Sequence, residues 1–366
     1  MQDLIYVLGP VTSLLVWRAA SHGVIDLPSL SDREPDFDRA RAHVKSIRSY
    51  SAIKALGDTP LDVIVGHGRY AHRSKRLDIN VLSGQLPEGS FYSVDDGLYV
   101  CSPELVFALL ARGSNKIHLA QVGCELCGTY AIKHNQTGIF CNCPSITNVE
   151  SIRKYLKKLG IRHGCRNAQE VLAYLQDGSD SPKESQQYLM QTLPLSLGGY
   201  AIPKPKLNGK VSVSETAKQA LGRGSITVDE LWCDEEGNPI LVGEYDSKAH
   251  HFFALDSQGE ETVDVKKVID NDVRREVIRE GGTPVVTVRR EDTQYFVQFD
   301  AKAMRIARIL GVETIPSEGS MRTKRIDLFS KLFDAEQWGK EHETLREMAG
   351  YARNIRHPKR AKDYVP

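Results

Sequence analysis

The sequence has no excess of charge of either sign: Lys and Arg number 48 against 47 Asp and Glu over 366 residues. Net charge therefore neither supports nor excludes a nucleic-acid partner, although the stretch from about Met321 onward carries a local excess of Lys and Arg. Internal repeats and low-complexity tracts are absent. The apolar opening "MQDLIYVLGPVTSLLVWRAA" lacks a basic leader, and Gly9-Pro10 interrupts it, so it is expected to belong to the fold and not to a signal peptide or a membrane span. Cysteine is sparse and odd in number, seven in all, which argues against a disulfide framework and for a reducing, cytoplasmic setting. No cysteine has a histidine and a carboxylate nearby in a recognisable nucleophile arrangement. Aromatic residues interleave too thinly with the basic runs to suggest a stacking platform.

What is present is 41% hydrophobic residues, enough for packed cores in two or three domains. Residues 1–145 read as a small α+β module: an apolar helix from Val11 to Ala20, a polar linker from Ser31 to Arg41, strands in "LDVIVG", "LDINVLSG" and "FYSVDDGLYVCS", and a helix from Pro103 to Arg112. Residues 146–180 read as a helical connector. One helix starts near Ser145 or Thr147 and stops at Gly160, and a second, "NAQEVLAYLQDG", is closed by Gly178. Ser181, Pro182 and Glu184 form a capping box that opens a helix ending before Pro194.

A Gly- and Pro-rich crossing, "LGGYAIPKPKLNG", follows. Residues 181–312 then continue as strand (Ser225 to Trp232), turn, strand (Ile240 to Asp246), long polar loop, helix (about Asp264 to Glu280) and strand (Pro284 to Val288). Residues 313–366 read as a basic helical tail. The fold class expected is α/β (α+β).

The segment "LVGEYDSKAHH" enters a row of titratable groups from an apolar strand: Glu244, Asp246, Lys248 and His250 occupy alternate positions. If residues 227–246 form a hairpin turning at Glu236-Gly237, Asp229 lies directly across from Glu244, and Asp246 shares their face. Three converging carboxylates repel one another by several kcal/mol at low dielectric, and a hard, oxygen-ligated cation such as Mg²⁺ or Mn²⁺ relieves this. Lys248 or His250 can then deprotonate a bound water or hold a phosphate, a combination suited to phosphodiester hydrolysis. The plainer reading of the alternation is a solvated sheet face with His250-His251 on a surface loop. Against it, uncompensated carboxylates are costly at the end of so apolar a strand.

"SITVDELWCDEEGNPILVGEYDSKAHH" with "DNDVRREVIREGGTPVVTV" resembles the domain family of unknown function related to very-short-patch-repair endonucleases, within the PD-(D/E)xK nuclease superfamily. The resemblance, over roughly residues 180–310, implies a restriction-endonuclease-like αβββαβ core. It gives metal-binding roles to Asp229 and Glu244, sets Asp246 where many relatives have the signature lysine, and matches His250 to a trailing histidine. Arg274, Ile278 and Gly282 match its helix pattern, and Glu184 its Ser-Pro-x-Glu helix opening. Ser247 departs from the usual glycine, and the loop from Ala254 to Glu261 is long. "GPVTSLLVWRAA" and "GLYVCSPELVFALLA" resemble the N-terminal module of AbiEi-type antitoxin proteins, which implies a nucleic-acid- or partner-binding role, although no complete winged helix is legible.

Cys124-x-x-Cys127 and Cys141-x-Cys143, thirteen residues apart, are a candidate Zn²⁺ set with His134 or His118 as a substitute ligand; their bland reading is small core filler on a half-buried strand. Arg289, Arg290, Arg322, Lys324, Arg325 and "RNIRHPKRAKD" can track a phosphate backbone or simply face solvent.

The leading expectation is a Mg²⁺- or Mn²⁺-dependent endonuclease acting on DNA, with RNA not excluded, in bacterial defence or toxin-antitoxin biology. Asp229 and Glu244 would ligate the metal, Asp246 and Glu184 would assist, and Lys248 or His250 would act on water or the leaving group. The alternatives are an antitoxin-like, non-catalytic nucleic-acid-binding regulator of nuclease-derived fold, and a zinc-stabilised scaffold whose acidic face binds a protein. A protein partner or a homodimer fits any of the three, and no membrane association is expected.

Overall fold

A computed structural model describes residues 4–30, 34–71, 76–82, 85–113, 115–133, 139–160, 165–246, 253–255, 261–263, 265–333 and 341–350. The chain divides into two compact units, Met1–Leu175 with Ala335–Pro366, and Gln176–Asp334.

The first unit begins with β1 (Tyr6–Leu8), α1 (Pro10–Ser21) and β2 (Ser29–Leu30), then α2 (Val44–Ile47), α3 (Ser51–Lys54), β3 (Leu61–Val65) and β4 (Leu77–Val81). The hairpin β5 (Phe91–Asp95) and β6 (Leu98–Cys101) leads into α4 (Pro103–Leu110), α5 (Lys116–Leu126), the short pair β7 (Tyr130–Ile132) and β8 (Ile139–Cys141), α6 (Val149–Leu159) and α7 (Cys165–Leu172). Six strands form a mixed sheet in the order β2-β5-β6-β1-β3-β4.

The Gly9-Pro10 step has a physical explanation here. A Cβ on Gly9 would fall 2.3 Å from Asp62 Oδ2. The Asp62 carboxylate, reaching over from β3, accepts from the backbone N–H groups of Val11 at 3.1 Å and Thr12 at 2.7 Å. A neighbouring strand thus caps α1, and Pro10 has no N–H to satisfy. Further along α1, the buried Arg18 donates to both carboxylate oxygens of Glu125 and to those of Glu341.

Two helix boundaries differ from the sequence reading. Asn148, and not Ser145 or Thr147, caps α6, its Oδ1 accepting from Ser151 N–H at 2.8 Å. The second helix ends at Leu172, so Gly178 lies beyond it in a left-handed conformation, φ +90°.

The second unit runs α8 (Pro182–Thr192), β9 (Lys206–Ser212), α9 (Glu215–Leu221), β10 (Ser225–Cys233), β11 (Pro239–Asp246), the short pair β12 (Phe253–Leu255) and β13 (Glu261–Val263), α10 (Val265–Glu280), β14 (Val285–Arg289), α11 (Phe296–Ile309) and α12 (Gly319–Phe333). Its sheet is ordered β14-β11-β10-β9. β9, β10 and β11 pair antiparallel, and β14 joins β11 in parallel after the α10 crossover. Val211, Ile226, Val228, Leu231, Val242, Ile278 and Val285 make the core, with Ile278 fixing α10 to the sheet.

β9 begins within the crossing read from the sequence, and α9 lies in the stretch after it to which that reading gave no element. Asn208 at φ +49° and Gly209, whose added Cβ would meet Leu231 Cβ at 2.6 Å, hide the alternation of buried Leu207 and Val211. Likewise, the polar loop after β11 contains the β12–β13 pair.

α12 is more than a basic tail: Leu328, Phe329, Leu332 and Phe333 are buried, and Phe333 lies 5.2 Å from Phe299 of α11. The last of the described helices, α13 (Glu341–Met348), belongs to the first unit, where Leu345 and Met348 are buried and Arg346 pairs with Asp78. Taken together, the described residues form a mixed α/β chain with two mixed sheets. None of its described helices is long and apolar enough to cross a membrane.

Candidate active site

The β10–β11 hairpin sets the register of the acids. Glu230 pairs with Gly243, Leu231 with Val242 and Trp232 with Leu241, which continues one step onward to Asp229 against Glu244. The turn is held by Asp234, whose carboxylate accepts from Asn238 N and Nδ2, and by Gly237 at φ +86°. A bulge at Trp232/Cys233 absorbs the odd residue before the turn without shifting the acids. Asp229 Oδ2 accepts from Tyr245 N–H at 2.6 Å, so the first acid is fixed against the strand that carries the second. Glu244 and Asp246 are only 9% and 7% exposed.

The capping box contributes a further acid. Ser181 Oγ accepts from Glu184 N–H at 3.2 Å, while the Glu184 carboxylate accepts from Ser181 Oγ–H at 2.7 Å and Asp180 N–H at 3.0 Å. Its capping role does not remove Glu184 from the site. Burial, and after it the charge of Asp229, pushes the Glu184 carboxyl up to about 8. Burial followed by Asp229 likewise raises Glu244 to about 8, with Asp246 adding to the repulsion and Arg274 and Arg275 opposing it. Asp229 is pushed up by burial to about 6, against the Tyr245 N–H and, after it, Arg274 and Arg275, which favour its charged form. Glu184, Asp229, Glu244 and Asp246 therefore share one electrostatic neighbourhood.

α10 lays two arginines along this neighbourhood. Arg274 donates to the Thr227 carbonyl at 2.5 Å, and Arg275 donates to Asp246 Oδ2 at 3.0 Å. The other Asp246 oxygen is buried and has no hydrogen-bond partner among the described residues. At the end of β14, Arg289 is paired in register with Asp246, Arg290 N–H donates to the Asp246 carbonyl at 3.1 Å, and both arginine side chains are exposed. Lys248 and His250 lie outside the described residues.

Sequence reasoning missed Arg275, Glu230 and Asp180, whose charge adds to the burial that raises Glu184 and Asp229. Asp180 directly precedes the capping box and Arg275 follows a residue already singled out, so adjacency was the available signal. Glu230 gave none. Its carboxylate, 1% exposed, accepts from Gln187 Nε2 at 2.7 Å and Gln191 Nε2 at 3.2 Å, one and two turns along α8 from Glu184. Burial raises it to about 8.

The basic residues do not act as one set. Arg322 and Lys324 are exposed, but Arg325 is 0% exposed, donates to Ser317 and Thr314 hydroxyls and stacks 4.0 Å from the Tyr200 ring centroid, so it cannot track a phosphate backbone. The segment "RNIRHPKRAKD" lies outside the described residues.

The cysteines differ from expectation as well. Cys124 lies in α5 and Cys127 caps its end, so the first half of "GCELCGTY" is helical and only Tyr130 enters a strand. Cys143 N–H donates to the Thr129 carbonyl and Cys141 pairs in register with Tyr130, which brings the two cysteine segments together at the β7–β8 pair. Cys124, Cys127 and Cys143 are buried whereas Cys141 is exposed. His118 sits in the first turn of α5, roughly 9 Å along the axis from Cys124 at ~1.5 Å per residue, too far to join it at one ion. His134 lies outside the described residues. Burial pushes the Cys101, Cys143 and Cys165 thiols up, which keeps them protonated and weakly nucleophilic.

Among the described residues, no group of three or more His, Cys, Asp or Glu side chains is spaced to hold a metal ion, at the thiols or at the acids. In comparisons with protein-family models, curated proteins and solved structures, the chain has no significant match.

Proposed function

We propose that the second unit is a metal-dependent nuclease of the PD-(D/E)xK type that hydrolyses phosphodiester bonds in DNA. The observation that carries this reading is the cross-strand pair Asp229 and Glu244, set by the β10–β11 register and crowded by Glu184 and Asp246 in a mostly buried site. Support comes from the succession α8, β9, β10, β11, α10, β14, interrupted by α9 and the β12–β13 pair, whose three antiparallel strands and one parallel strand are compatible with an αβββαβ pattern.

The donor set fits Mg²⁺ or Mn²⁺. It is all oxygen, the Glu244 carboxylate is buried, and among the described residues Asp246 keeps one buried oxygen without a hydrogen-bond partner. Mg²⁺ commonly uses one or two carboxylates and completes its shell with water, so it does not need three protein ligands at one point. Asp229 and Glu244 would hold the ion, which when bound supplies charge neutralisation at a phosphate oxygen and a more acidic water.

The chain's own groups have separate tasks. Tyr245 N–H orients Asp229. Arg289 and Arg290, exposed at the end of β14 beside Asp246, would receive the phosphates flanking the cut. Lys248 and His250, close after Asp246 in sequence, are the candidates for activating water and stabilising the leaving oxygen.

The test is cleavage of linear and circular DNA, and of RNA, with Mg²⁺, Mn²⁺ or EDTA, alongside Asp229→Ala and Glu244→Ala. Metal-dependent DNA cleavage lost in both variants is the expected result. Binding without cleavage would instead favour a non-catalytic nucleic-acid-binding regulator.

A further inference from the structure

Arg275 occupies an unusual place for a cation. It reaches from α10 into the carboxylate neighbourhood, where its guanidinium lies 3.0 Å from Asp246 Oδ2. Asp272, one turn earlier on the same helix, holds the outer edge of the guanidinium from 3.6 Å. Arg275 also attracts Asp229 and Glu244, the two carboxylates proposed to ligate the metal. Among the described residues, the second Asp246 oxygen is buried without a partner.

A second ion beside the first is favoured by a further carboxylate that can share it. Of the two further acids, Glu184 is engaged by Ser181 and Asp180 in its capping box, whereas Asp246 is set on the site's face by the alternation of β11, and Arg275 already holds one of its oxygens. A second divalent cation at Asp246 would have to break a largely buried ion pair and would stand against a fixed positive charge.

Resting on the metal-site reading above, we propose that Arg275 fills the place of the second cation, so that this site binds a single divalent ion at Asp229 and Glu244. Asp246 then serves as the anchor of Arg275 and not as a metal ligand. The guanidinium, a permanent charge with several N–H donors, is also suited to take the non-bridging phosphate oxygen that a second ion would otherwise contact.

The experiment is a titration of the full chain with Mn²⁺, counting bound ions from the loss of the free-ion paramagnetic resonance signal, with circular dichroism confirming that each variant is folded. The wild type is expected to bind one ion, Arg275→Gln two, and Arg275→Gln with Asp246→Asn one again. Arg275→Lys, which keeps the charge, should stay at one and guards against a glutamine variant that fails to fold. Two ions in the wild type, or a single ion in Arg275→Gln, would overturn the assignment while leaving the nuclease reading intact. No ion in the wild type would remove the metal site itself, and the inference with it.

Discussion

Replacing Glu244 by glutamine in the metal-free protein tests the electrostatics of the site without relying on turnover. The carboxyl is 9% exposed, and burial followed by the charge of Asp229 pushes it from an ordinary 4.5 up to about 8. Below the unfolded value both states are protonated and the site carries no penalty. Between 4.5 and about 8 the folded chain holds a proton that the unfolded chain has released, so stability falls as the pH rises through this window and the loss is complete above it. At about pH 7 the interval from the unfolded value is ~2.5 pH units, corresponding to a cost of about 3 kcal/mol. Glutamine keeps the shape without ionising, and it also relieves Asp229 and Glu184 of a like-charged neighbour. Glu244→Gln should therefore match the wild type at about pH 4.5 and exceed it by ~2–3 kcal/mol at about pH 7. Urea unfolding in EDTA, followed by circular dichroism at several pH values, measures the difference. A gap independent of pH, or a variant less stable than the wild type at high pH, would refute the reasoning. Added Mn²⁺ should stabilise the wild type more than the variant, because binding to the folded state alone adds to its stability.

Two other substitutions probe the framework. Arg18→Met would leave Glu125 and Glu341 buried or nearly so without their shared cation, and should cost roughly 3–5 kcal/mol in urea unfolding at neutral pH, with the loss shrinking in acid as the glutamates protonate. Ser181→Ala removes both the α8 cap and a donor to Glu184; thermal unfolding should register about 1 kcal/mol of destabilisation.

The hairpin was legible in the sequence because its signals are local. Period-2 alternation and a Gly-containing turn set the register, and the pairing of Glu230 with Gly243 carries Asp229 to the position opposite Glu244. The capping box was equally plain, since Ser181, Pro182 and Glu184 satisfy one another within a single turn. By contrast, β9 was obscured by Asn208 and Gly209, which weaken the alternation for reasons that lie in Leu231 on the next strand. The helix around Cys124 was missed because its buried, small residues give no amphipathic stripe to read.

For the site, the sequence determined which acids sit on one strand face and which helix opens beside them. Tertiary structure decided their surroundings: Arg275 reaching Asp246, Asp62 capping α1 from a neighbouring strand, Arg325 sealed under Tyr200, and Glu230 held by Gln187 and Gln191. Alternation and capping act over a few residues and leave a local pattern. The partner of a buried charge is chosen by desolvation, which acts through space between segments far apart in the chain.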